Sequence, residues 1–393
     1  MTVEDWLAGY EAEALETLRA FCCIPSVSTD PAFAAGIREA ATFVAARLTE
    51  AGFPQVDLVE TGVHPCVVAE WCAVPGAPTV LVYGHYDVQP PDPLVKWTTP
   101  PFQPDLRNDR LYARGASDDK GPLLIPILVA RAFREVTGGL PINLKILIEG
   151  EEETGSPHFE PTVARLKDRL ACDLVVSADG AMWRADLPSV TVASRGLAAL
   201  EVTVRGPGKD LHSGRHGGSA PNPIRALAHL LASLHDAGGS VIVPGFDDGT
   251  LPPDPAIVAA IAGLDFDAGA YFDGIGAARP DPMPSGADLL TRQWLRPTLE
   301  FNGISGGYAG AGTKTVIPES ASVKITCRLV AGQKPVAVTE AITRHLQAVL
   351  PMGYGLDVRS RGPGTAAFAL DPDMPALRVA EGVLTEEIGR AHV

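Results

Sequence analysis

Apolar positions recur at helical spacing over residues 4–22 and again over 36–51, where Gly52 supplies a C-terminal stop. Short apolar runs bounded by polar breaks follow at 56–59, 65–71, 80–87, 142–148 and 173–180, and read as strands, with a helix predicted over 121–136. The Pro-rich stretch 90–104 is long for a connection. Long loops in compact domains tend to be functional, and this one is expected to wall a substrate site. The character changes near residue 190. Residues 197–204 alternate like a half-exposed strand, 299–304, 321–329 and 355–359 read as further strands, and 223–237 and 336–350 as helices. Helices on one face of a mostly antiparallel sheet form an α+β layer. Residues 237–297, rich in Pro, Gly and Asp, read as insertion loops, and one helix is predicted at 376–385. For 393 residues, a prior of about 100–200 residues per domain gives two or three domains.

Three of the apolar runs and one loop end in acid or imidazole groups. The run from Val80 closes on His85-Tyr86-Asp87. His85 and Asp87, two apart, project to the same side of an extended backbone. A neutral imidazole is a good zinc ligand, and a carboxylate behind it fixes the ring tautomer. The glycine-bracketed loop at 114–121 carries Asp118 and Asp119; Glu149, Glu151, Glu152 and Glu153 follow the strand at 142–148; Asp179 closes the next strand. In open α/β sheets, ligands bind outside the carboxyl ends of the strands. Any one of these acids alone reads as a solvated loop or helix start. Four such ends in order point to a cation site.

Charge narrows the partners. The net charge of −15 argues against nucleic acid and anionic membrane surfaces, and bound cations are expected to offset part of it. With 46% hydrophobic and 20% charged residues the chain has the composition of an ordinary globular protein. Its acidic N-terminus has neither a basic n-region nor an apolar h-region, so no signal peptide is read. No apolar run reaches the ~18 residues of a transmembrane candidate. Cys22, Cys23, Cys66, Cys72, Cys172 and Cys327 form no regular framework and no C-x-x-C pair. They are expected to be buried free thiols of a cytoplasmic protein.

The order His85-x-Asp87, Asp118-Asp119-Lys120-Gly121, Glu152-Glu153, Asp179, within the phrases YGHYDVQP, RGASDDKGP and EGEEETGS, resembles the M20 metallopeptidases, especially their dipeptidase and carnosinase-like branch. The resemblance runs from the N-terminal helix to about residue 380. It implies an α/β fold: a mostly parallel-sheet zinc-peptidase catalytic domain over 1–190, resuming at 365–386, interrupted at 191–364 by an α+β lid and dimerisation domain. It also implies two divalent cations, zinc foremost with Mn or Co as substitutes, bridged by Asp118. His85 and Asp179 would complete one metal, and Glu153 would belong to the other. Asp87 would orient His85, Asp119 would stand behind Asp118, and Glu152 would be the general base acting on a metal-bridging water. In the lid, His212 matches a histidine that reaches the partner subunit's active site in a homodimer. Thr315 and Arg328 resemble positions that hold a substrate's C-terminal carboxylate, for which an Arg fork is suited.

One feature departs from the family's pattern. The downstream His that ligates the second metal, and the Gly-Gly-Ser-Ile-Pro-like loop before it, are absent; His345 falls in a lid helix and His392 is penultimate. An available codon choice for residues 387–393 spells, apart from its first base, a sequencing adapter, so this tail is expected to be non-native, the chain truncated and by itself inactive. The reading is metal-dependent hydrolysis of dipeptides or short peptides. An N-acyl-amino-acid deacylase or carboxypeptidase of the same family, and a non-catalytic metal-binding protein with this fold, are the alternatives.

Overall fold

A computed structural model of the chain describes residues 1–177, 179–180, 183, 189–371 and 373–388. Residues 389–393 of the expected non-native tail lie outside them. The chain divides into two compact units, Met1–Ala185 and Asp186–Val393.

In the first unit a five-stranded sheet is built from β1 (Gln55–Val59), β2 (Cys66–Trp71), β3 (Thr79–His85), β6 (Asn143–Glu149) and β7 (Leu174–Ser177), in the order β1-β2-β6-β3-β7. The strands that carry the candidate site, β6, β3 and β7, run parallel. The β1–β2 hairpin adds antiparallel pairings at one side, because a short connection can only fold back on itself. Alternate residues serve two cores. Val67, Ala69, Val82, Ile146 and Ile148 pack with α3 (Ala34–Ala51) and α4 (Lys120–Thr137). Val68, Leu81 and Leu147 face Phe159 and Val163 of α5 (Phe159–Arg165) on the other side. Burial on both faces explains why these strands read as continuous apolar runs.

The helix predicted over 4–22 is two helices, α1 (Val3–Gly9) and α2 (Glu11–Cys22), separated at Tyr10. A capping box of Thr2 and Asp5 starts the first. The Pro-rich loop contains a single 3₁₀ turn, Leu94–Lys96, and leads into a small hairpin of β4 (Asp105–Arg107) and β5 (Arg110–Tyr112).

In the second unit the main sheet has the order β11-β13-β9-β14, from β9 (Gly196–Arg205), β11 (Thr298–Gly306), β13 (Ser320–Leu329) and β14 (Gly355–Ser360), all antiparallel. Ala198, Leu200, Val202 and Val204 alternate inward on β9 and meet Leu227 and Leu230 of α7 (Pro223–Ala232) and Ile342 and Leu346 of α11 (Pro335–Val349). Short pairs β8–β15 (Ala193–Ser194 with Phe368–Ala369) and β10–β12 (Leu211–His212 with Val316–Ile317) flank it. α6 (Ser213–His216) follows β10, and α12 (Pro375–Ile388) is the last described element.

The stretch read as insertion loops holds three helices, α8 (Pro255–Ala262), α9 (Ala268–Gly274) and α10 (Gly286–Leu295). The residues that suggested loops are their caps. Asp254 and Asp267 accept the first free N–H groups, and Ser285 with Asp288 forms a capping box. All six cysteines are free, with Cys22, Cys66 and Cys327 buried but Cys23 and Cys72 exposed, Cys23 as the C-terminal cap of α2 and Cys72 just past β2. Among the described residues no helix is long and apolar enough to cross a membrane.

Candidate metal centre

The site is assembled at the carboxyl ends of β3, β6 and β7. His85, the last residue of β3, is wholly buried. Its Nδ1 lies 3.0 Å from the backbone oxygen of Asp87. A carbonyl oxygen only accepts, so Nδ1–H donates and the proton sits there. Nε2 is thereby turned outward, 3.1 Å from Asp118 Oδ1 and 3.7 Å from Asp179 Oδ2. Ligand atoms of His85, Asp118 and Asp179 all lie within 4.8 Å of one another, the one such group of three among the described residues.

Electrostatics shows what this arrangement lacks. His85 Nε2 is buried without a hydrogen-bond partner, and the acids nearest it offer lone pairs of their own. Burial opposes a charged imidazole, yet the hydrogen bond and charge of Asp87 and the charges of Asp119 and Glu152 outweigh it and push His85 up to about 10. The pocket calls for positive charge between a nitrogen and two carboxylates. A divalent cation satisfies all three ligands at once, and a mixed N/O set without sulfur suits zinc, manganese or cobalt. The Asp118 side chain is 63% exposed and that of Asp179 37%, so the cluster opens to solvent on one side.

Around it stand the supports. Asp87, also buried, is 3.5 Å from His85 Nδ1 through Oδ1. Its carboxylate accepts the N–H groups of Glu152 at 3.3 Å and Glu153 at 3.1 Å. One acid thereby fixes both the imidazole and the turn that follows β6. Glu152 and Glu153 are half-buried, and each carboxyl is raised above its ordinary value, chiefly by burial. Asp179, Asp87 and Asp118 add to this at Glu152. Neither glutamate joins the three-residue cluster; Glu153 accepts instead from Gln89 Nε2 at 2.5 Å.

Asp119 and Lys120 have roles the sequence alone did not reveal. Asp119 is buried, and its Oδ2 accepts the His85 N–H at 3.2 Å. Burial pushes its carboxyl up to about 7. Lys120, fully buried at the start of α4, donates to the carbonyls of Phe21 at 3.0 Å and Ile24 at 2.6 Å, and burial brings it down to about 8. The signal was the motif itself, two acids and a lysine between glycines, but not the distant carbonyls. Gly84 allows the close approach: a Cβ there would lie 2.6 Å from Asp119 Oδ2. Gly84→Ala is therefore expected to displace Asp119 from the His85 N–H and to destabilise the protein by about 1–3 kcal/mol. Denaturant unfolding of the variant measures this.

In the second unit His212 and Thr315 come together, with His212 Nε2 3.2 Å from Thr315 Oγ1. His212 Nδ1 accepts the Gly214 N–H at 3.0 Å, so Nε2 carries the proton of the neutral ring. Arg328 stands exposed near the end of β13, paired in register with Thr298 and Leu197, and no hydrogen bond joins it to His212 or Thr315.

Comparison with known proteins adds a second line of evidence. A profile described as a peptidase dimerisation domain matches residues 192–353. A Beta-Ala-His dipeptidase of Mus musculus is 35% identical over 289 residues, 73% of this chain and 58% of its own length. A Cys-Gly metallodipeptidase of Schizosaccharomyces pombe is 32% identical over 341 residues, 83% of this chain and 71% of its own length. The crystal structure of human carnosine dipeptidase 1 superposes with a TM-score of 0.87 at 30% identity, covering 98% of this chain and 84% of that one. The chain thus spans little more than half the length of the mouse relative.

Proposed function

Since this chain belongs to the M20 peptidase family, we propose that it hydrolyses the peptide bond of dipeptides and other short peptides with the help of divalent cations. The observation that carries this reading is the buried Nε2 of His85, without a hydrogen-bond partner, facing Asp118 and Asp179. His85, Asp118 and Asp179 would hold one ion, and Asp118 with Glu153 would hold a second. Zinc is the ion the ligand set favours, with manganese or cobalt as substitutes. When bound, such ions polarise a peptide carbonyl and make water a stronger nucleophile. Asp87 keeps the His85 proton on Nδ1 and fixes the backbone of both glutamates. Glu152, raised by burial, takes the proton of the attacking water and returns it to the leaving amine. Among the described residues a second ion would have two proposed protein ligands, fewer than the three usual for a catalytic zinc. We therefore assign this chain one tightly held ion and little turnover alone. Turnover is to be read both in the 393-residue chain and in an extended protein, the chain joined to C-terminal length of a dipeptidase relative.

The experiment is hydrolysis by the extended protein of a panel of dipeptides against N-acetyl amino acids, with metal content measured in parallel. Preference for dipeptides supports the reading. Preference for the acylated amino acids replaces it with the deacylase alternative, and bound metal without hydrolysis of either favours the non-catalytic one.

The second unit supplies the rest. Its match to a peptidase dimerisation domain supports a homodimer. The His212 Nε2–H, set by Gly214, is a donor suited to the scissile carbonyl of the partner subunit's substrate, while Thr315 and Arg328 receive the substrate carboxylate. Mixed dimers of His212→Ala and Glu152→Ala subunits of the extended protein are expected to recover part of the activity that each homodimer lacks. No recovery in verified mixed dimers removes the action across the dimer.

A further inference from the structure

The segment joining the His85 strand to the Asp118 loop encloses an open cavity of about 590 Å³ that includes none of the clustered ligands. Small-molecule sites commonly measure about 300–1,000 Å³. Its charged lining is three cations, Lys96, Arg107 and Arg114, against one acid, Asp92. In a chain of net charge −15 this local excess of positive charge runs against the whole. Such a concave patch draws anions toward it.

Two of the three cations, Arg114 and Arg107, lie over aromatic rings, and Arg107 is also paired with an acid. The Arg114 guanidinium lies over Trp97, 5.4 Å from the ring centroid, and its Nη2 donates to the Pro90 carbonyl at 3.2 Å. Its Nε is buried without a hydrogen-bond partner. Trp97 is itself fixed by donating from Nε1 to the Pro91 carbonyl at 2.7 Å. Arg107 lies over Tyr112 at 4.3 Å and is paired with Asp105 at 2.9 Å. Among the described residues no carboxylate comes within ion-pair distance of Lys96 or Arg114, which leaves two unneutralised cations on one cavity. A stacked guanidinium keeps its planar fork presented, the geometry that pairs with an oxyanion.

We propose that this cavity binds a small molecule carrying an oxyanion, a carboxylate or phosphate group seated between Arg114 and Lys96, with the Trp97 and Tyr112 rings as its apolar walls. The inference stands apart from the peptidase reading, because it uses none of the metal-centre residues and its test needs no turnover.

Inorganic phosphate is the first probe, followed by tryptophan emission of the 393-residue protein. A saturable change is expected with a midpoint on the order of 1 mM. It should be absent in Trp97→Phe and shifted at least tenfold to higher phosphate by Arg114→Gln. Lys96 is exposed on its turn, so Lys96→Gln keeps the test sound if the arginine variant fails to fold; it is expected to weaken binding by a similar factor. Both variants leave the metal ligands intact, so any phosphate bound at the metal centre persists and is separated from this site. A second arm compares a dipeptide with an acidic side chain and a neutral one as competitors. Displacement of phosphate by the acidic peptide alone identifies a peptide carboxylate as the source, and displacement by neither identifies a free anion; both support the site. No saturable change in the wild-type protein, or one that Arg114→Gln and Lys96→Gln both leave unmoved, overturns it.

Discussion

Glu152→Gln, made in the extended protein, is expected to retain its full complement of metal and lose on the order of 10²–10⁴-fold in turnover, the usual contribution of a positioned general base. The amide preserves the size of the side chain and leaves the backbone N–H on Asp87 Oδ1 undisturbed, so the loss is one of proton transfer alone. Glu153→Gln is expected to behave differently, releasing one ion while Glu152 remains in place. The two residues are adjacent, half-buried and raised for the same leading reason, burial. Only their roles separate them. Metal analysis beside steady-state kinetics distinguishes the pair, and equal metal loss in both variants would show that the assignment is reversed or void.

Asp118→Asn is expected to have the larger effect on the metal centre. Asp118 Oδ1 is the acid oxygen nearest His85 Nε2, at 3.1 Å, and the same residue is the proposed bridge to the second ion. An asparagine there keeps the shape but removes a charge that both proposed ions would share. Loss of partners outside the ligand shell typically costs 10–100-fold in metal affinity. Removal of a shared ligand should exceed that, leaving neither ion bound at micromolar metal and abolishing hydrolysis. Calorimetric titration of zinc into wild-type and variant protein measures the difference.

The sequence was most legible where chemistry and periodicity coincide. The apolar run ending at His85, and the run ending at Glu149, reveal both a buried strand and the edge where polar groups emerge. Their parallel pairing then brings those ends together. The second sheet was legible for a simpler reason: β9 alternates buried and half-buried residues along its whole length.

What was hidden depends on partners far away in the chain. Lys120 gave no sign that it would be buried, because the carbonyls that satisfy it belong to Phe21 and Ile24 at the end of α2. The role of Asp119 depends on Gly84, whose missing side chain makes the space. Gln89 looked like an ordinary loop residue until the fold set it against Glu153. The helices of the insertion were missed for a local reason. Asp, Ser and Pro open helices as readily as they make turns, and short helices between such residues lack enough turns to show a period.

The most direct measurement is nitrogen NMR of the His85 imidazole while zinc is titrated into the metal-free protein. Nε2 is expected to shift in proportion to added zinc, with saturation at the tight site, while Nδ1 keeps the proton it donates to the Asp87 carbonyl. Zinc that leaves His85 unchanged, or that binds through Nδ1, would contradict the metal centre and with it the proposed hydrolysis.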